Sequence, residues 1–138
     1  MQDAVADLLA FLDRSPTPYH AVAESVRRLQ AAGYREAHAE DAWELSPGEK
    51  RYSARGGGSL VAFRMGAASP VQGGFRVLGA HTDSPNLRLK PCADVSAHGY
   101  QQLAVEPYGG VLAHTWLDRD LSLAGQVALR EGEGTRTL

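Results

Sequence analysis

Cysteine is nearly absent from this chain. Among its 138 residues only Cys92 occurs, so no disulfide can form within it, and such scarcity fits a reducing compartment. An excess of one charge is missing too. Fourteen Lys and Arg stand against sixteen Asp and Glu, a formal net charge of −2, which predicts no attraction to nucleic-acid phosphates or anionic lipid. No apolar run reaches the length of a membrane span. The first residues carry Asp3 and Asp7 and lack a basic start, so they do not read as a signal peptide. Internal repeats and low-complexity tracts are also lacking. These absences predict a cytoplasmic protein with no nucleic-acid or membrane partner, long enough for one modest domain.

What is present is glycine, fifteen residues against seven prolines, which implies many turns. Val5, Leu8, Leu9 and Leu12 recur at helical spacing and predict an amphipathic helix over Gln2–Asp13. Ser15-Pro16 ends it. Thr17 then reads as an N-cap, with Pro18 in the first helical position, where a missing N–H costs nothing. Val22, Val26 and Leu29 stripe this second helix, and Gly33 supplies a left-handed stop. Both stripes need a sheet or each other to be buried.

Beyond Gly33 the pattern changes to strands. Residues 50–55 and 59–65 flank Gly56-Gly57-Gly58, a hairpin turn. Residues 75–80 form a near-continuous apolar run, which predicts a strand buried on both faces. Residues 86–91 alternate in half-buried fashion, and strands over 101–106 and 126–130 follow, separated by an irregular segment over 107–125. Residues 131–138 show neither a helix stop nor a folded tail. The chain reads as halting just after a strand, as part of a longer protein would. Two helices followed by strands give α+β or α/β, and a composition shift near residues 91–99 reads as entry into a second subdomain.

The densest chemistry lies in Gly79-Ala80-His81-Thr82-Asp83-Ser84-Pro85. Histidine is a common zinc ligand, and its second ring nitrogen needs an acceptor to fix tautomer and orientation. In an extended segment residues i and i+2 share a side, so Asp83 can lie beside His81, either supporting its ring or facing the metal's other side. Open α/β sheets place their sites just beyond strand C-termini, where His81 is expected. The bland alternative is a local surface pair. A serine-hydrolase triad is excluded, because His81, Asp83 and Ser84 are too close in sequence to converge from separate segments. The glycine run is not a P-loop: it lacks the Lys-Ser/Thr and precedes a strand.

Other candidates read as structural. His20 lies in the second helix's first turn and suits capping or packing. His38 and His98 sit in polar stretches and read as surface residues. His114 reads as structural, with a subunit interface as the alternative. Asp118, Arg119 and Asp120 beside Trp116 suit a buried or interfacial ion pair better than a catalytic cluster. Cys92 lacks a partner. Arg88 and Lys90 read as a solvated strand face.

These residues, taken in order, resemble the aspartyl aminopeptidase family of binuclear zinc metallo-aminopeptidases. The resemblance rests on Phe11-Leu12, Ser15-Pro16-Thr17-Pro18-Tyr19-His20-Ala21-Val22, Trp43-Glu44-Leu45 with Pro47-Gly48, and the His81 loop. It continues through Leu87-Arg88-Leu89-Lys90-Pro91, Glu106-Pro107-Tyr108-Gly109-Gly110, and Thr115-Trp116-Leu117-Asp118-Arg119-Asp120-Leu121 with Ala124-Gly125. It implies an α/β fold: a mixed sheet flanked by helices, here an incomplete catalytic domain over residues 1–94. The start of an inserted β-rich dimerisation (oligomerisation) domain would follow over residues 95–138. It implies two zinc ions, peptide substrates cleaved at their N-terminal residue (acidic by preference in characterised eukaryotic members), a glutamate general base, and a homo-oligomer. His81 matches the first zinc ligand and Asp83 the catalytic acid that orients it. The other ligands and the base would lie beyond Leu138, so this chain alone is expected to be inactive. The competing reading is a non-catalytic assembly module or inactive fragment that keeps the fold; a third is a sibling binuclear zinc peptidase of different specificity.

Overall fold

Thr17 does what its position predicts. Its side chain accepts from the His20 backbone N–H and starts α2, Pro18–Ala31, with Pro18 in the first turn. Gly33 follows the helix with φ +82°, the expected left-handed stop. The preceding helix, α1, spans Gln2–Asp13 as its periodicity predicts. The computed structural model describes residues 2–138. Two units divide the chain: one runs to Thr82 and takes in Ala124–Leu138, and the other is Asp83–Leu123.

The first unit is built on a three-stranded mixed sheet. Strand β1 (Arg35–Glu36) runs parallel to β2 (Lys50–Arg55), and β2 runs antiparallel to β3 (Ser59–Arg64). The register from Lys50↔Arg64 to Arg55↔Ser59 leaves Gly56-Gly57-Gly58 as the turn. Gly57 needs to be glycine twice over: its φ is +69°, and a Cβ there would stand 3.3 Å from the Tyr19 ring. Tyr52 of β2, with 2% of its surface exposed, is the most buried side chain. Its hydroxyl accepts from Gln30 Nε2 of α2 at 2.8 Å, and its carbonyl accepts from the Ala37 N–H at 2.7 Å. Among the described residues, Val22 and Ala37 complete the buried apolar set. Glu49 braces the strands from one end, accepting from Arg35 at 2.9 Å and from Arg51 Nε at 2.8 Å. The α/β reading and the mixed sheet therefore hold for this unit.

Helix α1 meets α2 through charge. Glu24 is buried, and its carboxylate takes two 2.7 Å bonds from Arg27 and one of 2.8 Å from Arg28, with Arg14 at 3.7 Å. Arg28 also donates to Asp7 of α1 at 2.8 Å and lies 5.2 Å from the Phe11 ring centroid. The apolar stripe of α1 behaves otherwise than expected. Val5, Leu8, Leu9 and Leu12 stay more than half exposed, because α2 is the one helix against it among the described residues.

Residues 75–80 correct the sequence reading. Residues 74–85 form neither helix nor strand, and Phe75, Val77 and Leu78 are 82, 83 and 101% exposed. A strand exists only where a neighbouring backbone completes its hydrogen bonds, and no segment among the described residues pairs with this run. Composition anticipates a buried strand; it does not supply the neighbour. The tail is a second correction. Strands β6 (Ala128–Glu131) and β7 (Gly134–Thr137) make a hairpin, extended by two 2.9 Å bonds between Val127 and Leu138. The strand expected over residues 126–130 is met by β6, whereas β7 and the pairing were not expected; every residue of the hairpin is exposed, so no apolar alternation marked β7. A short helix, α3 (Pro70–Gly73), was also unmarked.

The second unit is a long antiparallel ribbon of β4 (Asn86–Ala97) and β5 (Tyr100–Tyr108), closed by His98 at φ +51° and Gly99 at φ +84°. Both strands outrun their expected limits. Pro91 and Cys92 do not end β4: the register shifts between Leu89 and Asp94, and Cys92 has φ +54° there. A bulge is where a strand accommodates proline. Strand β4 passes positions 94 and 95 unbroken. A single 3₁₀ turn, Ala113–Thr115, follows.

Replacing Thr17 by Ala removes the α2 cap and is expected to destabilise the first unit by about 1 kcal/mol, read as a lower urea midpoint. The Arg27 and Arg28 hydrogen bonds lower the Glu24 pKa from 4.5 to about 2. Because the folded value lies below the unfolded one, this stabilisation is full above about pH 4.5 and lost as pH falls towards about 2. Acid unfolding followed by circular dichroism should show loss in that window. Glu24→Gln should flatten the curve there; an unchanged curve would mean that the network contributes nothing.

Candidate metal-binding loop

The loop 79–85 is held by hydrogen bonds rather than by its own secondary structure. In the first unit, Thr82 Oγ1 donates to the Gly58 carbonyl at 2.7 Å. The β2–β3 turn therefore anchors the residue after His81. The same turn lies under the Tyr19 ring and the Gln126 side chain, both close to Gly57. His81 itself is exposed.

In the second unit, Asp83 is half-buried, and its Oδ2 accepts a hydrogen bond from the Tyr108 hydroxyl. Tyr108 ends β5 opposite Asn86, the first residue of β4. The Arg88 guanidinium lies over the Tyr108 ring, 4.0 Å from its centroid. The hydrogen bond to the Asp83 carboxylate raises the Tyr108 pKa above its usual value, that negative charge and burial add to the rise, and Arg88 opposes it. Asn86 Nδ2 donates to the Ser84 carbonyl at 3.1 Å, steadying the bend. Arg88 and Lys90 are both exposed, as a solvated strand face would have them, and the Arg88 guanidinium additionally stacks on the Tyr108 ring.

His81 and Asp83 both engage further partners. An imidazole nitrogen and an adjacent carboxylate are suitable donors for zinc. Among the described residues, however, no group of three or more His, Cys, Asp or Glu side chains converges as a metal site. The donor chemistry fits one ligand with its support, and a four-coordinate site needs more.

The remaining histidines take structural positions. His20 Nδ1 lies 2.7 Å from Thr17 Oγ1, in the capping role expected of it. The His38 carbonyl accepts from Trp43 Nε1 at 2.7 Å, His98 makes a hairpin turn, and His114 is exposed on the 3₁₀ turn. Asp118 and Asp120 are exposed, and Arg119 points to the Thr115 carbonyl at 3.4 Å. The buried form of that ion-pair reading is therefore replaced by a solvated turn in which Asp118 has φ +53°. Cys92 is free and exposed. A cavity of about 450 Å³ lies elsewhere on the first unit, lined by the stacked Trp43 and Phe63 with Leu60, Val61 and Arg55. No helix among the described residues is long and apolar enough to cross a membrane.

Tyr108 is the residue that sequence reasoning missed. It was visible within Glu106-Pro107-Tyr108-Gly109-Gly110, but its partner lies twenty-five positions away and is set by the β4–β5 register.

The chain is similar to known proteins over most of its length. The family described as aminopeptidase I zinc metalloprotease (M18) matches residues 11–137. A probable M18 family aminopeptidase 2 of Streptomyces coelicolor is 54% identical over 126 residues, covering 91% of this chain. The counterpart from Pseudomonas paraeruginosa is 53% identical over 123 residues, covering 89%. The chain spans 29% of the length of both relatives. Among solved structures, a chain of the Ape4 and Nbr1 complex superposes with a TM-score of 0.90 at 41% identity, over 96% of this chain and 26% of that one. The S. cerevisiae mApe1 dodecamer gives 0.85 at 31% identity, over 98% of this chain and 32% of that one.

The Tyr108–Asp83 bond has a spectroscopic signature. Neutral phenol is the bonded form, so its stabilisation is full below the ordinary value of 10.0 and lost as pH rises through the higher folded value. Among the five tyrosines, one should ionise late in an ultraviolet tyrosinate titration. Asp83→Asn should return it towards the others; a titration indifferent to that change would refute the bond.

Proposed function

Because the chain belongs to the aminopeptidase I zinc metalloprotease (M18) family, we propose that it is the N-terminal portion of a zinc-dependent aminopeptidase. The reaction is hydrolysis of the N-terminal residue from peptide substrates. The match across residues 11–137, with the His81 loop inside it, carries this reading. His81 supplies one zinc ligand through a neutral ring nitrogen, and Asp83 orients it. When bound, zinc supplies Lewis-acid polarisation of the scissile carbonyl and activation of the attacking water. This chain's part is to hold and orient one donor. The remaining ligands, a second zinc and the general base come from segments outside it, in keeping with the 29% of the relatives' length that it spans. In the complete protein residues 75–80 gain a neighbour and become an inner strand, which accounts for their apolar run. The dodecamer formed by mApe1 supports a homo-oligomer. Residues 95–138 start the inserted assembly domain, and the protein works in the cytoplasm.

The test is aminopeptidase assay of the complete, zinc-loaded gene product against a panel of aminoacyl substrates that includes acidic ones. Release of the N-terminal residue is expected. His81→Ala should abolish it, and Asp83→Asn should lower it about 10–100-fold, as for other outer partners of a metal ligand. Purified residues 1–138 should show no turnover with zinc. Turnover by that piece, or full activity of His81→Ala, would sink the assignment.

A further inference from the structure

We propose that Tyr108, stacked under Arg88, is the positioning residue for Asp83 and thereby for zinc retention. The inference rests on the reading of Asp83 as the support of the zinc ligand and goes one step outward from it. A carboxylate at the end of a flexible side chain rotates freely about its Cβ–Cγ bond unless something holds one oxygen. Here the Tyr108 hydroxyl donates to Oδ2, which fixes that rotation. The phenol is a good clamp because it is itself fixed. It closes β5, in register with Asn86 on the neighbouring strand, and its ring plane lies against the Arg88 guanidinium at 4.0 Å. Arg88 reaches it from the same face of the ribbon, two positions along β4 from Asn86. A planar guanidinium can stack where an ammonium cannot, so the arginine acts through shape as well as charge. The positive charge over the ring also favours the bond, since it draws electron density from the phenol and strengthens its O–H as a donor towards a carboxylate. Neither residue needs to touch metal or substrate.

The experiment uses the complete zinc-loaded gene product and measures zinc affinity by chelator competition beside steady-state kinetics. Tyr108→Phe keeps the ring and removes only the donor. Zinc affinity should fall about tenfold, and kcat should fall while KM for the peptide stays within about twofold. Asp83→Asn should weaken zinc to a similar degree, and the double variant should be no worse than Asp83→Asn alone, because one interaction is removed twice. Arg88→Lys should give a smaller loss in the same direction, and it keeps the inference testable should Tyr108→Phe fail to fold. Unchanged zinc affinity in Tyr108→Phe, or additive losses in the double variant, would overturn the inference. His81→Ala separates the two levels. If it loses zinc while Tyr108→Phe does not, only the positioning role falls; if it too keeps zinc, the ligand assignment falls and the inference with it.

Discussion

The first unit depends on Tyr52. Strand β2 is paired on both sides, parallel to β1 and antiparallel to β3, and Tyr52 is the point at which helix α2 is fastened to it through Gln30. A buried hydroxyl without a partner is costly; here the partner comes from the helix that the sheet must cover. Satisfying the phenol and seating α2 are therefore the same event. With β2 placed, the β2–β3 turn is placed, and Gly58 of that turn receives Thr82. The chain of consequence runs from one buried aromatic to the residue beside the candidate ligand.

Glu24 shows the opposite economy. Few buried carboxylates are tolerated, and those that are must be surrounded by charge and hydrogen bonds. Three guanidiniums meet this one, and Arg28 passes the connection on to Asp7. Helix α1 has little else to hold it, since its leucines face outward. A contact made by ion pairs is directional where an apolar contact is not, so α1 is oriented by the arginines rather than by its stripe. That is why hydrophobic periodicity gave the existence of α1 and not its surroundings.

What was legible in the sequence was local. Thr17 with Pro18, Gly33 after α2, and the glycine run between β2 and β3 each specify a backbone conformation within a few residues, and each stands where it was expected. What was illegible was the identity of neighbours. The apolar run at residues 75–80 has the composition of an inner strand but no pairing partner among the described residues, so no strand forms. Strand β7 and the continuation of β4 through Pro91 erred the other way: backbone pairing built strands that no side-chain pattern announced. The site divides likewise. His81 and Asp83 stood out as candidates because two chemical groups stand two residues apart, whereas the Tyr108 hydroxyl meets Asp83, and Arg88 the Tyr108 ring, only through the ribbon's register.

That division bears on how a loop can be held in place without regular structure of its own. A coordinating side chain tolerates displacements of only a few tenths of an ångström before affinity suffers, and a loop fixed solely by its backbone would wander further. Here the restraint is imported. Thr82 is pinned to a turn that glycine alone can make, and Asp83 is pinned by a tyrosine at the end of a long paired ribbon. Strands and turns are rigid because their hydrogen bonds are cooperative, so each single bond lends that rigidity, within its own unit, to the residue it holds.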